Sequence, residues 1–284
     1  MVMITSPTGD FSMDGYLKSN LDVAKRVIYD DWDMIILVDG TERGGKSVMA
    51  MQMAYYCDPT LSLDRVCLTA ADFKKAVINA KPYTAVIYDE AFTGLSSRNT
   101  MTKINKSLVE MLAEIGQKNL FIFIVCPTFF DLDKYPALWR SRALVHIYTG
   151  KEFKRGFFRF YASDTKKKLY VFGKKTYDYD CVMSDFYGCF TNHYVLDKAA
   201  YKKKKADSLK LKETKKTDDN SKDHKIWLFN RLQAPEFEHL KDLDKAAMLE
   251  IHPRTFRYWK TQLKEQKEHF SLENEGFEAA ESGN

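Results

Sequence analysis

Ile35-Ile36-Leu37-Val38-Asp39-Gly40-Thr41-Glu42-Arg43-Gly44-Gly45-Lys46-Ser47 runs an apolar strand into a glycine-rich loop, and the loop into an amphipathic helix through Met49 to Cys57. The loop matches G-x-x-x-x-G-K-[ST] without interruption, in the strand-to-helix setting that gives the pattern its meaning. Glycines let the backbone curl until successive N–H groups face phosphate oxygens, and the following helix adds its positive N-terminal end. Gly40, Thr41, Glu42, Arg43, Gly44, Gly45, Lys46 and Ser47 are therefore expected to surround a nucleotide's phosphates. In that arrangement Lys46 is a point charge for the outer phosphates and Ser47 a ligand of Mg²⁺. The alternative is a glycine turn that merely joins a strand to a helix.

Working outward, the 284 residues suffice for a substantial core and a smaller appendage. Apolar residues make up 45% and charged residues 29%, ordinary values for a chain that folds. No apolar run approaches the ~20 residues of a bilayer span, and the N-terminus lacks the basic start of a leader. A cytoplasmic protein without a membrane segment is expected. Cys57, Cys67, Cys126, Cys181 and Cys189 are scattered, as in a reducing compartment. Cys181, Cys189 and His193 lack the paired spacing of a zinc site. Net charge is only +5, but the lysines are unevenly placed.

The beginning, to about Lys18, reads as a polar arm, followed by a short helix capped by Ser19 or Asn20. Ile35 to Val38 is apolar without alternation, as expected of a parallel strand covered on both faces. Arg65 to Thr69 is a second strand, Ala70 to Lys81 a helix, and Thr84 to Tyr88 a third strand ending in Asp89-Glu90. A strand that ends in an acidic pair behind such a loop assigns Asp89 to the Mg²⁺ shell and Glu90 to the attacking water. An N-cap role is the alternative for this pair. Asn99 to Gly116 is a helix, and Leu120 to Val125 a fourth strand ending at Thr128. Ligands of open α/β sheets collect at strand carboxyl ends, so Thr128 is a γ-phosphate contact or else a simple turn residue. Ala143 to Tyr148 is a fifth strand, completing the strand and helix alternation of an α/β domain.

Arg140 and Arg142 precede that last strand. An arginine from a neighbouring subunit often neutralises a transferred phosphoryl group, so either can serve as a finger in a ring; a salt bridge or DNA contact is the alternative. Arg98 is a rival for that role and Arg43 is placed to act in cis.

Beyond Gly150, Phe157 to Tyr161 and Leu169 to Gly173 flank a polar turn and are predicted to form a β-hairpin. Its aromatics, mixed with Lys154, Arg155, Lys166, Lys167, Lys168, Lys174 and Lys175, suit either nucleic acid or a half-buried hairpin. Lys202 to Lys225 is lysine-dense and poor in large apolar groups, and is expected to be a mobile linker, with a helix at its start as an alternative. Apolar periodicity then returns, with a helix over Leu240 to Leu249, a turn, and a second helix from Pro253.

That C-terminal stretch resembles helix-turn-helix DNA-binding modules. The resemblance implies that Arg254, Thr255, Arg257 and Lys260 face a major groove while Phe256 and Trp259 pack inside. The core, through GTERGGKS, VIYDEA, Thr128 and the late arginines, resembles the additional-strand P-loop ATPases. The branch in question holds FtsK, HerA, viral packaging ATPases and zonula-occludens-toxin-like phage proteins. It implies ATP and Mg²⁺ as cofactors, DNA as partner and a homo-oligomeric ring such as a hexamer, while the small size suits a virus or mobile-element protein, which would be cytoplasmic in a host cell or virion-associated.

The fold expected is thus α/β: a P-loop NTPase parallel sheet flanked by helices, then a β-hairpin and a small all-α C-terminal module. Residues 1–200 form the ATPase domain, with a core at 33–150 and the hairpin extension at 151–200. Residues 201–225 form the basic linker, 226–268 the helix-turn-helix-like module, and 269–284 a disordered acidic tail. The function expected is ATP hydrolysis coupled to translocating, packaging or remodelling DNA, or else an ATP-gated DNA-binding or assembly switch with slow turnover.

Overall fold

The computed structural model describes residues 1–89 and 103–263, with side chains throughout except at 103–107, 211–224 and 226. Glu90, Arg98 and the acidic tail lie outside the described residues. The chain divides into two compact units, Met1–Ser208 and Leu209–Asn284.

The first unit is built on a seven-stranded sheet. In chain order its strands are β3 (Met34–Gly40), β4 (Val66–Cys67), β5 (Ala85–Asp89), β6 (Phe121–Val125), β7 (Ala143–Tyr148), β8 (Phe157–Ala162) and β9 (Phe186–Cys189), and β1 (Val2–Ser6) and β2 (Gly9–Met13) form a separate antiparallel pair. The spatial order is β4-β5-β6-β3-β7-β8-β9, parallel as far as β7 and antiparallel beyond it. Helices α1 (Gly15–Val27), α2 (Lys46–Cys57), α3 (Ala70–Asn79) and α4 (Lys103–Glu114) cover it. The unalternating apolar run of β3 follows from this covering. Ile36 and Val38 enter one apolar cluster with Leu17, Leu21 and Met53, whereas Ile35 and Leu37 enter a second with Phe73, Leu108 and Leu112. Each such buried aliphatic side chain contributes about 1.5–3 kcal/mol relative to exposure.

The N-terminus is not a polar arm. β1 and β2 pair from Val2↔Met13 to Ser6↔Gly9 and bury Phe11 and Met13. The helix that follows starts earlier than Ser19. Asp14 caps it, accepting from the Tyr16 and Leu17 amides at 2.9 and 3.1 Å. Ser19 and Asn20 are internal and donate back to the carbonyls of Gly15 and Tyr16.

The antiparallel pairing expected after residue 150 is present, but with different arms. β8 pairs with β7 and β9, and Ser163–Gly173 is helix α5. Its buried residues, Lys166, Leu169, Tyr170 and Gly173, have the i, i+3, i+4, i+7 spacing of a helix. One of the four is a lysine, which hides the period from a reading that counts lysine as polar. Lys166 is therefore no phosphate contact. It is wholly buried, and its ammonium donates to Ala137 O, Ser141 O and Ser141 Oγ at 2.8, 2.6 and 2.6 Å. Those acceptors lie in and just after the π-helical turn Tyr135–Arg140.

Replacing Lys166 with Met takes a donor from Ser141 O, Ser141 Oγ and Ala137 O, of which Ala137 O keeps the Ser141 hydroxyl at 3.0 Å, and is expected to cost about 2–4 kcal/mol in urea unfolding. Burial, with smaller effects from Lys167 and Arg142, pushes the amine down from 10.5 to about 7. The unfolded chain then holds the proton more tightly than the folded one. The resulting penalty is full below pH about 7 and is relieved as pH rises toward 10.5, so the wild type gains stability over Lys166→Met across that window.

The lysine-rich segment is helical beyond its start. It lies within helix α6, Lys198–Arg231, a span with no glycine or proline and rich in the good helix formers Lys, Ala and Leu. In the second unit, helix α7 (Asp242–Met248), a turn, and helix α8 (residues 253–263) follow. Phe256 is fully buried, edge-on to Phe229 at 5.1 Å, and Trp259 meets the same ring at 5.4 Å. No helix among the described residues is long and apolar enough to cross a membrane.

Candidate functional site

Strand β3 delivers the loop to the carboxyl edge of the sheet between β6 and β7. Gly40 has φ +129°, and a Cβ there would fall 1.9 Å from the Ile147 carbonyl oxygen, so only glycine fits. Gly45, φ +107°, opens helix α2 against the Phe190 ring, and Arg43 takes the left-handed conformation at φ +59°. Gly44 N–H bonds to Thr41 O at 3.2 Å and closes the turn. Among the described residues, no backbone carbonyl takes the amides of Gly45, Lys46 or Ser47. These are the N-terminal donors that bind anions at helix starts.

Lys46 Nζ donates to Gly40 O and Thr41 O at 2.7 and 2.9 Å, so its charge lies across the loop mouth. Burial lowers its proton affinity, while Cys126, Asp39, Glu42 and Asp89 oppose that. Thr41, Glu42 and Arg43 are exposed. Ser47 Oγ donates to Asp89 Oδ1 at 3.1 Å, joining residues 42 positions apart. Asp89 is only 2% exposed. Among the described residues no three His, Cys, Asp or Glu side chains form a cluster that would hold a metal. Mg²⁺ needs no such cage, since it is usually held by one or two carboxylates together with substrate phosphate and water, and Ser47 and Asp89 are the residues here that could hold it.

Thr128 sits where strand β6 ends, flanked by Pro127, whose carbonyl receives Gly40 N–H at 3.4 Å, and Phe129, whose N–H bonds to Asp39 Oδ2 at 2.8 Å. Its Oγ1 lies 3.1 Å from the Tyr179 hydroxyl. Tyr179 in turn donates to Asp39, and burial followed by the Asp39 charge holds the phenol protonated. His146 Nδ1 donates to Asp39 Oδ1 at 2.9 Å and its ring stacks on Tyr179 at 3.7 Å. Asp39, His146 and Tyr179 thus form a buried network under the loop, none of whose members drew notice in the sequence. Asp39 was hidden as one polar letter at the end of an apolar run.

The two late arginines lie at the other end of the sheet. Arg140 grips Asp33, ahead of β3, with Nη1 at 2.9 Å from Oδ1 and Nη2 on Oδ2, and also donates to Leu112 O. This is the salt-bridged alternative. Arg142 holds its guanidinium 4.7 Å from the Trp32 ring centre, and its buried Nε has no partner among the described residues. At ~3.3 Å per strand residue, the length of β3 separates both arginines from their own loop.

In the second unit, Arg254 and Arg257 are exposed and Thr255 is partly so. Lys260 is paired with both Asp242 oxygens at 2.8 and 2.9 Å.

No protein-family model and no curated protein matches the chain. Solved structures do resemble it. The N-terminal domain of zonular occludens toxin from Neisseria meningitidis is 20% identical with a TM-score of 0.37, over 60% of this chain and 98% of that one. The genome packaging NTPase B204 from Sulfolobus turreted icosahedral virus 2, in complex with AMPPCP, is 16% identical with a TM-score of 0.33, over 48% and 95%. A DNA polymerase III gamma subunit-related protein from Thermotoga maritima gives 16% and 0.34, over 47% of each chain.

Proposed function

We propose that the protein is an ATP hydrolase of the P-loop kind that acts on DNA. The observation that carries the reading is the 3.1 Å contact between Ser47 Oγ and Asp89 Oδ1 beside the Lys46 loop. It joins the phosphate loop and the acidic strand end, two halves of one site in the sequence reading. The free amides of Gly45, Lys46 and Ser47 hold phosphate oxygens, and Lys46 turns from Gly40 O and Thr41 O to the outer phosphates. Ser47 and Asp89 hold Mg²⁺, which when bound offsets charge on the transferred phosphoryl group. Thr128, positioned by Tyr179 and through it by Asp39, marks the outermost phosphate. Glu90, next in the chain to Asp89, orients the attacking water. Arg142 is the finger, acting from a neighbouring protomer of a ring, while Arg140 stays with Asp33.

Arg254, Thr255 and Arg257 provide DNA contacts in the second unit, with Lys260 joining them only by leaving Asp242. The second reading, a switch with slow turnover, is favoured by one contact: Asp89 Oδ2 already accepts from Tyr201. ATP turnover with single- and double-stranded DNA separates the two. A DNA-driven enzyme should turn over at least ~10-fold faster with DNA. Turnover that DNA leaves unchanged would support the switch, and failure to bind ATP would remove both.

A further inference from the structure

Asp89 has partners beyond Ser47, and they come from the first turns of helix α6. The Tyr201 hydroxyl donates to Asp89 Oδ2, and Lys205 Nζ stands 3.6 Å from the same oxygen. Lys204 donates to the carbonyls of Leu63 and Val66, both at 2.8 Å. The i, i+3, i+4 set Tyr201, Lys204 and Lys205 therefore grips both the carboxylate and the chain entering β4. Tyr201 is 4% exposed, and burial and Asp89 together keep its phenol a donor. A carboxylate as buried as Asp89 requires donors or a counter-charge.

Lys205 is that counter-charge, and its position matters because Asp89 is also the residue assigned to Mg²⁺. An ammonium and a divalent cation on one carboxylate repel each other. The lysine side chain is 36% exposed on a flexible stem, so it is the partner able to leave for water. Tyr201 is neutral and buried, and loses only the electron density that Asp89 turns toward the metal.

We propose that Tyr201 and Lys205 form a latch that senses the metal: they hold the start of helix α6 on Asp89, and arrival of Mg²⁺ with nucleotide drives Lys205 away and loosens that turn. The proposal rests on the reading of Ser47 and Asp89 as a Mg-nucleotide site. It gives that site an outlet. Helix α6 is continuous to Arg231, so the element that feels the metal is also the one that carries the lysine-rich segment. Linkage makes the effect reciprocal: if metal-bound nucleotide loosens the turn, a turn already loosened must favour metal-bound nucleotide.

The test uses the full chain, β,γ-methylene-ATP as probe, and two readouts: calorimetric affinity with Mg²⁺ or EDTA, and hydrogen exchange of amides 198–208. In the wild type, the Mg-bound probe should speed exchange of these amides ~10-fold. In Lys205→Met and Tyr201→Phe they should exchange fast already, and both variants should bind the Mg-bound probe several-fold more tightly than wild type, with unchanged affinity in EDTA. Lys205→Met, at a part-exposed site, carries the test if Tyr201→Phe fails to fold. Wild-type binding with no change in exchange, or variants with equal or weaker Mg-dependent affinity, overturns the latch alone. If no probe binds under either condition, the nucleotide-site reading falls and takes the latch with it.

Discussion

Lys46→Ala is expected to fold normally and to lose nucleotide turnover, with kcat down ~10³-fold, the scale of removing a preorganised charge from a developing anion. The structural cost is small because among the described residues Lys46 donates only to Gly40 O and Thr41 O, in a loop that stays open to water at Thr41 to Arg43. The catalytic cost is large for the same reason that burial lowers the amine's proton affinity: a desolvated ammonium is worth more to a phosphate than a hydrated one. Lys46→Arg should not rescue, since a planar fork does not replace a compact point charge in a glycine-walled loop. Phosphate release at saturating ATP, beside an unfolding curve for each variant, checks this. Turnover within ~3-fold of wild type would leave the loop without its assigned role.

Arg140→Ala should act the other way, on stability before turnover. Its guanidinium and the Asp33 carboxylate are 12% and 5% exposed, and the arginine also holds Leu112 O. Removing one member of a buried pair leaves the other charge unpaired and costs about 3–5 kcal/mol. Arg140→Ala combined with Asp33→Asn should recover part of the loss, because the orphaned charge is then gone. Among the described residues Arg142→Ala gives up only the stacking on Trp32, about 0.5–1 kcal/mol. A finger role for Arg142 predicts that this nearly neutral change in stability abolishes turnover in the assembled protein. An Arg140→Ala variant that unfolds with the wild type yet fails to hydrolyse ATP would exchange the two assignments.

What the sequence made readable follows from how each signal is written. The loop and the strands beside it are local patterns: glycine spacing, a lysine and a hydroxyl in series, and apolar runs covered on both faces by helices. The second arm of the hairpin was misread because Lys166 interrupts an otherwise plain helical stripe, and a lysine satisfied by three oxygens looks in sequence like any other. Asp14, Ser19 and Asn20 are all capping residue types, and only tertiary packing picks Asp14 as the start of the helix. Asp39 and His146 meet through strand register, and Thr128 and Tyr179 join them by side-chain hydrogen bonds from segments outside the strands, contacts that no local pattern encodes. Tyr201 was lost in a lysine run that reads as solvated chain, although one face of that run is bonded to the site.

The position of β3 has a further consequence, for the growing chain. It is central in the sheet, yet its neighbours β6 and β7 come much later: Val38 meets Cys126 across 88 residues, and Asp39 meets His146 across 107. At ~5–20 residues per second, the ribosome leaves this apolar strand unpaired for roughly 5–20 s. Parallel pairing of this range is intrinsically slow to form. Residues 34–40 should therefore be the segment that chaperones find on ribosome-bound chains, and their hold should end once β7 has emerged.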